Sequence, residues 1–384
     1  MKIVIDARPA MLQKTGIGHY TYNLAKRFVD LAPEHDYYLC DVFAGMGFYN
    51  MFPMSKNLSR ADLFLDLFKI PFPFVTLSRL LLLVWSKLRG EATQIEETDI
   101  FFGTNFRGVF RDHLKTVITI HDMAHEYFPD TIKDAETYSY LKIELPEAAR
   151  KAHKIIAVSE TTRSDIIRFL GINPDKIRVV YNGVDTSFQQ IPDLALRSKV
   201  REKYSLPPRF FLYVGAIQPR KNINGLVEAY AKIRAKGLVS HDLVIAGADS
   251  WKSEGLKDRI GALGLQGKVH FPGYVSDEDL PLLYNLADVF VFPSLYEGFG
   301  LPVLEAMACG TPVVTSKTSS LSEIAGAAAL LVDPDAIDEI AGAMERLMED
   351  SDLRNSCIER GLARAKLFTW DSCARETLAL LLEA

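Results

Sequence analysis

Residues 294–314, S-L-Y-E-G-F-G-L-P-V-L-E-A-M-A-C-G-T-P-V-V, join a glycine-rich turn to a helix start and then to a buried strand. The apolar run D-V-F-V-F-P directly before them predicts another buried strand. Pro302 suits the first turn of a helix, because its missing N–H is not needed there. Glu297 and Glu305 stand in a segment otherwise nearly free of charge. A buried carboxylate is costly without a partner, so we expect a ligand to supply one.

The rest of the chain repeats this alternation of apolar strands and helical patterns. Such alternation is typical of βαβ units, which form parallel sheets. Many of the predicted strands end in Gly, Asp, Ser or Pro, where a doubly wound sheet places its ligand-binding loops. The predicted strands are residues 3–5, 37–41, 100–102, 116–120, 155–158, 177–180, 210–215, 242–246, 269–271, 289–292, 312–315 and 329–332.

The length of 384 residues favours two domains. Turn-forming residues in Y-N-G-V-D-T-S-F-Q-Q-I-P-D-L interrupt the alternation, which predicts a boundary between Asn182 and Tyr204. We assign residues 1–190 to a first doubly wound α/β domain and residues 200–368 to a second one. Residues 369–384 are predicted to form a last helix, which either completes the second domain or crosses back to the first.

The composition is that of an ordinary soluble protein, with 48% hydrophobic and 24% charged residues. A net charge of −5 argues against nucleic acid as a bulk partner. The four cysteines form no C-x-x-C pair, which predicts reduced thiols, a cytoplasmic location and no zinc site. Because Met1 leads directly into K-I-V-I-D, we expect no signal peptide.

Three further groups lie at predicted strand ends. T-G-I-G-H-Y, at residues 15–20, is not a full G-x-G-x-x-G, so a tight turn and a phosphate contact both stay open. His121 and Asp122 follow the strand at 116–120, although a single histidine there is more often structural. Arg220 and Lys221 follow the strand at 210–215 and are candidates to bind a diphosphate.

The segment E-G-F-G-L-P-V-L-E has seven residues between its glutamates and resembles the E-x7-E motif of retaining glycosyltransferases of family 4. The resemblance continues in order through I-D-A-R-P, T-G-I-G-H-Y, T-I-H-D, V-S-E-T-T-R-S-D, Y-N-G-V-D, V-G-A-I-Q-P-R-K-N and F-T-W-D. It implies the GT-B fold, in which two Rossmann-like domains face a central cleft. Residues 1–190 would bind the acceptor and residues 200–368 the nucleotide sugar, without a metal or other cofactor.

Within the second domain, the resemblance implies that Glu305 accepts hydrogen bonds from the ribose of the donor. Glu297 resembles the glutamate that contacts the hydroxyls of the donor sugar near the reacting carbon. The backbone amides of Phe299, Gly300 and Leu301 would approach the sugar and the diphosphate.

The basic residues after the strand at 210–215 match the family motif less closely than the glutamates do. Lys221 resembles the family lysine, but many relatives have an arginine where this chain has Ala216, which makes Arg220 the candidate replacement. Fixed cations would stabilise the diphosphate as it leaves. The base would be bound near Tyr274 and Val275.

On the first domain, the resemblance places Gly16 and Gly18 beside the diphosphate. It places His121 near the transferred sugar, with Asp122 less clearly involved. His121 joins Glu297, Arg220 and Lys221 as the residues expected to act in catalysis.

The motifs resemble those of mannosyltransferases that build bacterial surface polysaccharides such as lipopolysaccharide, which predicts GDP-mannose as donor and a saccharide, lipid-linked or free, as acceptor. A UDP-sugar such as UDP-glucose or UDP-GlcNAc is the first alternative. A nucleotide-sugar epimerase and a catalytically silent scaffold are alternatives of other classes.

Residues 46–97 exceed what a simple connection requires, and they mix Phe, Leu and Pro with basic residues. Their uninterrupted apolar run at 80–85 is too short to span a bilayer. Two interpretations stay open: a buried helical hairpin of the first domain, or a surface within residues 50–97 that lies on the inner membrane.

Overall fold

The computed structural model describes residues 1–12, 16–42, 49–54, 95–132, 135–237, 240–247 and 254–384. The chain forms two compact units. The first contains Met1–Asn182 and Trp370–Ala384, and the second contains Gly183–Thr369. The first unit therefore ends at Asn182, and the C-terminal helix belongs to it.

The described strands of the first unit form one seven-stranded sheet in the order β3-β2-β1-β4-β5-β6-β7. Parallel pairing joins all of them except β3, which is antiparallel to β2. The register places Ile5 beside Leu39 and Phe102, so apolar side chains stack across the sheet. The strands are β1 (Lys2–Asp6), β2 (Asp36–Val42), β3 (Tyr49–Pro53), β4 (Ile100–Gly103), β5 (Lys115–Ile120), β6 (Lys154–Ala157) and β7 (Ile177–Val179).

Strand β3 corrects the prediction for residues 46–97. The backbone of Tyr49–Pro53 pairs with β2 at the edge of the sheet, so a helical hairpin is wrong for this part. Pro53 ends the strand, which fits the tolerance of edge strands for proline. Residues 55–94, on which the rest of the hairpin and the membrane-contact predictions fall, lie outside the described residues.

The helices of the first unit lie between these strands along the chain, and α6 (Glu160–Leu170) has a polar cap at its start. In V-S-E-T-T-R-S-D, the Ser159 side chain accepts a hydrogen bond from the Thr162 amide, and Gly171 ends the same helix with φ of +64°. The helices are α1 (Arg8–Leu12), α2 (Gly16–Leu31), α3 (Ala124–Tyr127), α4 (Ala135–Ser139), α5 (Leu145–Lys151) and α6 (Glu160–Leu170).

The second unit is built on one parallel sheet, whose described strands lie in the order β10-β9-β8-β11-β12-β13. They are β8 (Phe210–Val214), β9 (Asp242–Ala246), β10 (Val269–Gly273), β11 (Val289–Phe292), β12 (Val313–Ser316) and β13 (Leu330–Val332). The helices are α7 (Leu194–Lys203), α8 (Ile223–Ala235), α9 (Glu254–Ala262), α10 (Leu280–Leu286), α11 (Leu301–Ala308), α12 (Ser319–Ala325), α13 (Ile337–Glu349) and α14 (Ser351–Ala365).

The last helix, α15 (Trp370–Glu383), packs in the core of the first unit. Its apolar face, which includes Trp370 and Leu381, contacts the cluster formed by Tyr20, Leu24 and Phe28 of α2. Burying such side chains stabilises the unit by roughly 1.5–3 kcal/mol each. None of the described helices is both long and apolar enough to cross a membrane.

Candidate active site

Residues 297–300 form the loop between β11 and α11. Gly300 caps the helix in a left-handed conformation, with φ of +102°. A Cβ at this position would lie 2.6 Å from Leu321 Cδ2, so glycine is needed for both backbone and space. Pro302 lies in the first turn of α11, as predicted. The loop thereby places the amino end of α11, at Leu301, at the carboxyl edge of the sheet. The positive end of the helix dipole lies there.

Two serines at the start of α12 hold this loop. The Glu297 amide donates to Ser319 Oγ at 3.2 Å, and the Ser320 hydroxyl lies 2.8 Å from the Glu297 carbonyl and 2.9 Å from the Phe299 carbonyl. Ser319 itself has a positive φ of 54°. Our sequence reasoning missed both serines, although the hydroxyl-rich run S-K-T-S-S after a predicted strand is a typical helix-start signal.

Glu297 is buried, with 7% of its surface exposed, and it forms two ion pairs. Lys221 Nζ lies 2.5 Å from Glu297 Oε1, and Arg220 Nη1 lies 3.0 Å from Glu297 Oε2. The expectation that a ligand supplies the partner of this glutamate is therefore wrong, because the chain supplies it. Burial alone would raise the pKa of Glu297, but the charges of Lys221 and Arg220 outweigh burial and lower it.

The basic pair reaches Glu297 because β8 and β11 are neighbours in the sheet. Arg220 and Lys221 end a short 3-10 turn after β8, and the Arg220 carbonyl accepts a hydrogen bond from the Leu295 amide at 2.8 Å. Their side chains are 19% and 12% exposed. Two cations therefore lie at the same carboxylate, and a pair of fixed cations suits an anionic ligand.

Glu305 is the fifth residue of α11, which begins at Leu301, so it lies just beyond the first turn of the helix. Its Oε2 accepts a hydrogen bond from the Tyr284 hydroxyl at 2.8 Å. Burial raises the pKa of Glu305 to about 7, the Tyr284 hydrogen bond opposes the shift, and Asp277 and Asp185 add to it. Tyr284 was missed because nothing in L-P-L-L-Y-N-L distinguishes it from a core residue.

Three glycines follow neighbouring strands of this unit, namely Gly215, Gly247 and Gly273, and each has a positive φ. A Cβ on Gly247 would lie 2.1 Å from the Gly215 carbonyl oxygen, so the two loops pack as closely as backbone allows. Beyond Gly273, Tyr274 is 61% exposed and donates to Asp277 at 3.2 Å, while Val275 is buried. The exposed Tyr274 ring is thus available to stack on a planar ligand.

In the first unit, Gly16 and Gly18 are helical. Helix α2 begins at Gly16, so residues 16–20 are the start of a helix. Gly16 is exposed and Gly18 is buried. The backbone amides at these glycines consequently belong to the first turn of a 16-residue helix.

His121 is buried at the end of β5, and its Nε2 lies 2.8 Å from the Thr104 carbonyl. Because a carbonyl only accepts, Nε2 carries the proton and Nδ1 is the acceptor of the neutral ring. Burial lowers the pKa of His121, and the bond to Thr104 only partly opposes that shift. The Tyr20 ring packs edge-on against it, with centroids 4.9 Å apart. Asp122 instead caps the backbone, accepting from the Ala124 amide at 2.9 Å.

Thr104 links His121 to the first strand. Its hydroxyl donates to the Asp6 carbonyl at 2.7 Å and accepts from Thr21 at 3.0 Å. The buried Asp6 carboxylate holds Arg8 through two bonds of 2.8 and 2.6 Å. Sequence reasoning identified I-D-A-R-P as a motif but not this network.

Each unit therefore brings part of the predicted set together. The second unit joins Glu297, Arg220 and Lys221 directly, with the loop amides next to them. His121 and His125 have a spacing found in metal-binding pairs, but the part of the chain described in the structure contains no group of three His, Cys, Asp or Glu side chains placed to hold a metal ion. Metal independence stays a prediction.

Comparison with known proteins covers almost the whole chain. Residues 14–188 match the family model described as Glycosyltransferase Family 4, and residues 197–364 match the one described as Glycosyl transferases group 1. O-antigen chain mannosyltransferase B of Escherichia coli is 34% identical over 399 residues, with 98% of each chain covered. The serotype-specific mannosyltransferase WbdA of Escherichia coli is 32% identical over 264 residues, covering 68% of this chain and 32% of WbdA.

Among solved structures, the complex of Anabaena Alr3699/HepE with UDP and glucose matches over the full length of both chains, with a TM-score of 0.71 and 21% identity. A glycosyltransferase involved in lipopolysaccharide biosynthesis, WaaG, has a TM-score of 0.67 and 15% identity, with 99% of both chains covered. Likeness at this level of identity shows a shared fold.

Proposed function

The chain belongs to glycosyltransferase family 4 and has the GT-B fold, and from this premise we propose that it is a retaining mannosyltransferase that uses GDP-mannose. Its role as a glycosyltransferase in polysaccharide synthesis follows from the family and from the O-antigen mannosyltransferase that matches 98% of its length. The names of that relative and of WbdA support mannose as the transferred sugar.

The observation that carries the proposal is the cluster of Glu297, Arg220 and Lys221. Its two cations lie beside the loop and helix start that suit a diphosphate. As the glycosidic bond to the diphosphate breaks, negative charge grows on the leaving oxygen. Cations fixed in place beforehand stabilise that charge without reorganising. The geometry thus supports departure of a nucleoside diphosphate, and we propose that the two cations stabilise it in place of a metal.

Glu297 has a second role in this proposal. Its lowered pKa keeps the carboxylate ionised, and the ion pairs orient the two cations. An ionised carboxylate near the reacting carbon also stabilises the positive charge of an oxocarbenium-like transition state. Glu305, hydrogen-bonded by Tyr284 one turn along α11, is proposed to accept hydrogen bonds from the ribose.

The retaining course follows from the family resemblance, and we keep it as part of the proposal. The bond from the anomeric carbon to the diphosphate breaks, the bond to the acceptor oxygen forms on the same face, and the acceptor proton passes to the departing diphosphate. His121 does not serve as a proton donor in this scheme, because its Nε2–H is engaged by Thr104. Its Nδ1 is instead proposed to accept a hydrogen bond from a hydroxyl of the transferred sugar.

The first unit is proposed to bind the saccharide acceptor, and the amides at Gly16 and Gly18 to assist at the diphosphate. A cytoplasmic location, with peripheral contact to the inner membrane through residues 50–97, also stays a prediction.

A donor panel tests the proposal. The protein is incubated with GDP-mannose, UDP-glucose or UDP-GlcNAc and mannotriose as acceptor, and released nucleotide is measured. GDP release that depends on mannotriose, with an α-linked product by NMR, supports the proposal. Release from a UDP-sugar alone favours the first alternative. Interconversion of sugars without release of a nucleoside diphosphate indicates an epimerase, and no reaction with any donor overturns the assignment of activity to this site.

A further inference from the structure

A cavity of about 280 Å³ lies in the first unit, apart from the residues assigned so far. Arg8, which follows β1, and residues 106–110, which follow β4, form one wall. These strands are neighbours, so this wall begins at the carboxyl edge of the sheet, where α/β proteins bind ligands. Phe101, within β4, and Lys151, at the end of α5, also line the cavity. Its size, near the lower end of the roughly 300–1,000 Å³ of small-molecule sites, suits a single sugar ring.

The backbone around this cavity is held in an unusual conformation. Phe106 has φ of +55°, which is rare for a bulky side chain and costs on the order of 1–3 kcal/mol. Gly103 allows the same loop to close, because a Cβ there would lie 1.8 Å from the Arg107 carbonyl oxygen. The strain places the Phe106 ring between two others, 6.3 Å from His121 and 6.2 Å from Tyr140, edge to face in both cases.

The opposite wall contains a turn of π-helix. Residues Tyr140–Glu144 form this turn between α4 and α5, and both Tyr140 and Glu144 line the cavity. Such turns are rare and occur frequently at functional sites. Here the turn places Tyr140 opposite Arg107, whose guanidinium lies 4.2 Å from the centre of the tyrosine ring.

The lining combines aromatic rings with charges of both signs. Phe106, Phe110 and Tyr140 supply apolar faces, while Arg107 and Glu144 supply donors and acceptors. Within the described part of the chain, Arg107 Nε is buried and has no hydrogen-bond partner. A buried donor without a partner costs roughly 1–3 kcal/mol. A hydroxyl group would satisfy it, and a sugar ring presents hydroxyls at its edge and C–H groups on its faces.

We infer that this cavity binds a sugar residue of the acceptor saccharide, stacked against Tyr140 and Phe106 and hydrogen-bonded by Arg107. The inference rests on the proposed function, which it deepens by assigning the acceptor site. The position of the Phe106 ring, in contact with both His121 and Tyr140, joins the cavity to the predicted reaction centre.

Matched variants test the inference. Arg107→Met and Tyr140→Ala remove two walls of the cavity, while Arg111→Ala and Tyr138→Ala change exposed residues of the same types four and two positions away. The full-length protein is titrated with mannotriose by calorimetry, and transfer from GDP-mannose is followed by GDP release. We expect the Kd and KM for mannotriose to rise at least about tenfold in both cavity variants and to stay within about twofold in the controls.

The KM for GDP-mannose should stay within about twofold of wild type in all four variants, which separates an acceptor site from general disruption of the fold. Tyr140→Phe keeps the ring and loses only the hydroxyl bond to the Asn105 carbonyl, so it should bind mannotriose nearly normally even if Tyr140→Ala fails to fold.

The outcomes separate this inference from the proposed function. Mannotriose binding that only the cavity variants weaken supports the inference, even when no GDP is released, in which case the proposed reaction alone fails. Transfer by the wild type with an unchanged KM for mannotriose in the cavity variants overturns the inference and leaves the reaction intact. Failure of the wild type to bind mannotriose overturns it as well.

Discussion

Lys221→Ala removes one of the two cations that flank the buried Glu297 carboxylate. The remaining contact, from Arg220 at 3.0 Å, is only slightly longer than the lost one at 2.5 Å, so the two cations share the attraction about evenly. If Lys221 also contacts the leaving diphosphate, the variant loses one preorganised charge contact. We therefore expect kcat to fall on the order of ten- to thousandfold.

The same substitution should also reduce stability. An uncompensated buried charge costs about 3–5 kcal/mol, and because Arg220 still pairs with Glu297, we expect about 2 kcal/mol. The pKa of Glu297 is lowered in the folded protein, so its stabilising effect is present above its unfolded pKa near 4.5 and disappears as the pH falls through the folded value. In Lys221→Ala the folded pKa of Glu297 should be lowered less, so less stability should be lost as the pH falls below about 4.5.

GDP release from GDP-mannose gives kcat, and urea denaturation at pH 7 and at about pH 3.5 gives the stability above and below the pH at which the loss begins. Adding Glu297→Gln to Lys221→Ala distinguishes the two roles of the lysine. If Lys221 only neutralises Glu297, the double variant regains the lost stability and turns over at the rate of Glu297→Gln alone. If Lys221 also stabilises the diphosphate, stability returns but the double variant turns over more slowly than Glu297→Gln alone. Lys232→Ala, which removes an exposed cation paired with Asp338, is the control. Turnover of Lys221→Ala within threefold of wild type would refute the catalytic role.

Three other predictions follow from the described contacts. Glu305→Gln should weaken GDP binding about ten- to hundredfold at pH 8 and little at pH 6. Burial raises the pKa of Glu305 to about 7, so the substitution removes a carboxylate at pH 8 but mainly a neutral carboxyl group at pH 6. Calorimetry that gives the same ratio of Kd values at both pH values would contradict this. Gly300→Ala should destabilise the protein by about 1–3 kcal/mol, because φ is +102° and the new Cβ would meet Leu321. Gly342→Ala in helix α13 is the control: its Cβ has open space among the described atoms, so it should be neutral or stabilising in the same denaturation assay. His121→Asn should lower kcat at least about tenfold. Because burial lowers the pKa of His121, protonation of this ring should not lower the wild-type rate between pH 8 and pH 6. A fall of the rate in that range that disappears in the variant would count against a neutral ring.

The positions of most strands along the chain were readable from the sequence because a parallel sheet buried on both faces needs continuous apolar runs. K-I-V-I-D and D-V-F-V-F are such runs, and both form central strands. Strand β3 was missed for the opposite reason. An edge strand is paired on one side only and carries a weaker pattern, and here it lies within residues that also suggested a helix.

The candidate site was predicted less completely. Glu297, Arg220 and Lys221 were each recognised, but the ion pairs among them were not, since Lys221 and Glu297 are 76 positions apart. Tyr284 and Thr104 are partners of predicted residues, yet each resembles an ordinary buried residue in its own segment. A partner that is distant along the chain leaves no local signal, so sequence reasoning found the charged groups and missed what holds them.

The sequence by itself determined the two doubly wound units, the glycine loop before α11 and the acidic and basic residues at the strand ends, because strand pattern and turn chemistry are local properties. Only the tertiary structure decided that Glu297 is neutralised by Arg220 and Lys221, that Glu305 is held by Tyr284, and that α15 completes the first unit. Those contacts depend on which strands become neighbours, and burial then sets the charge state of each group. The pairing of β8 with β11 is the step that turns separate motifs into one charged cluster.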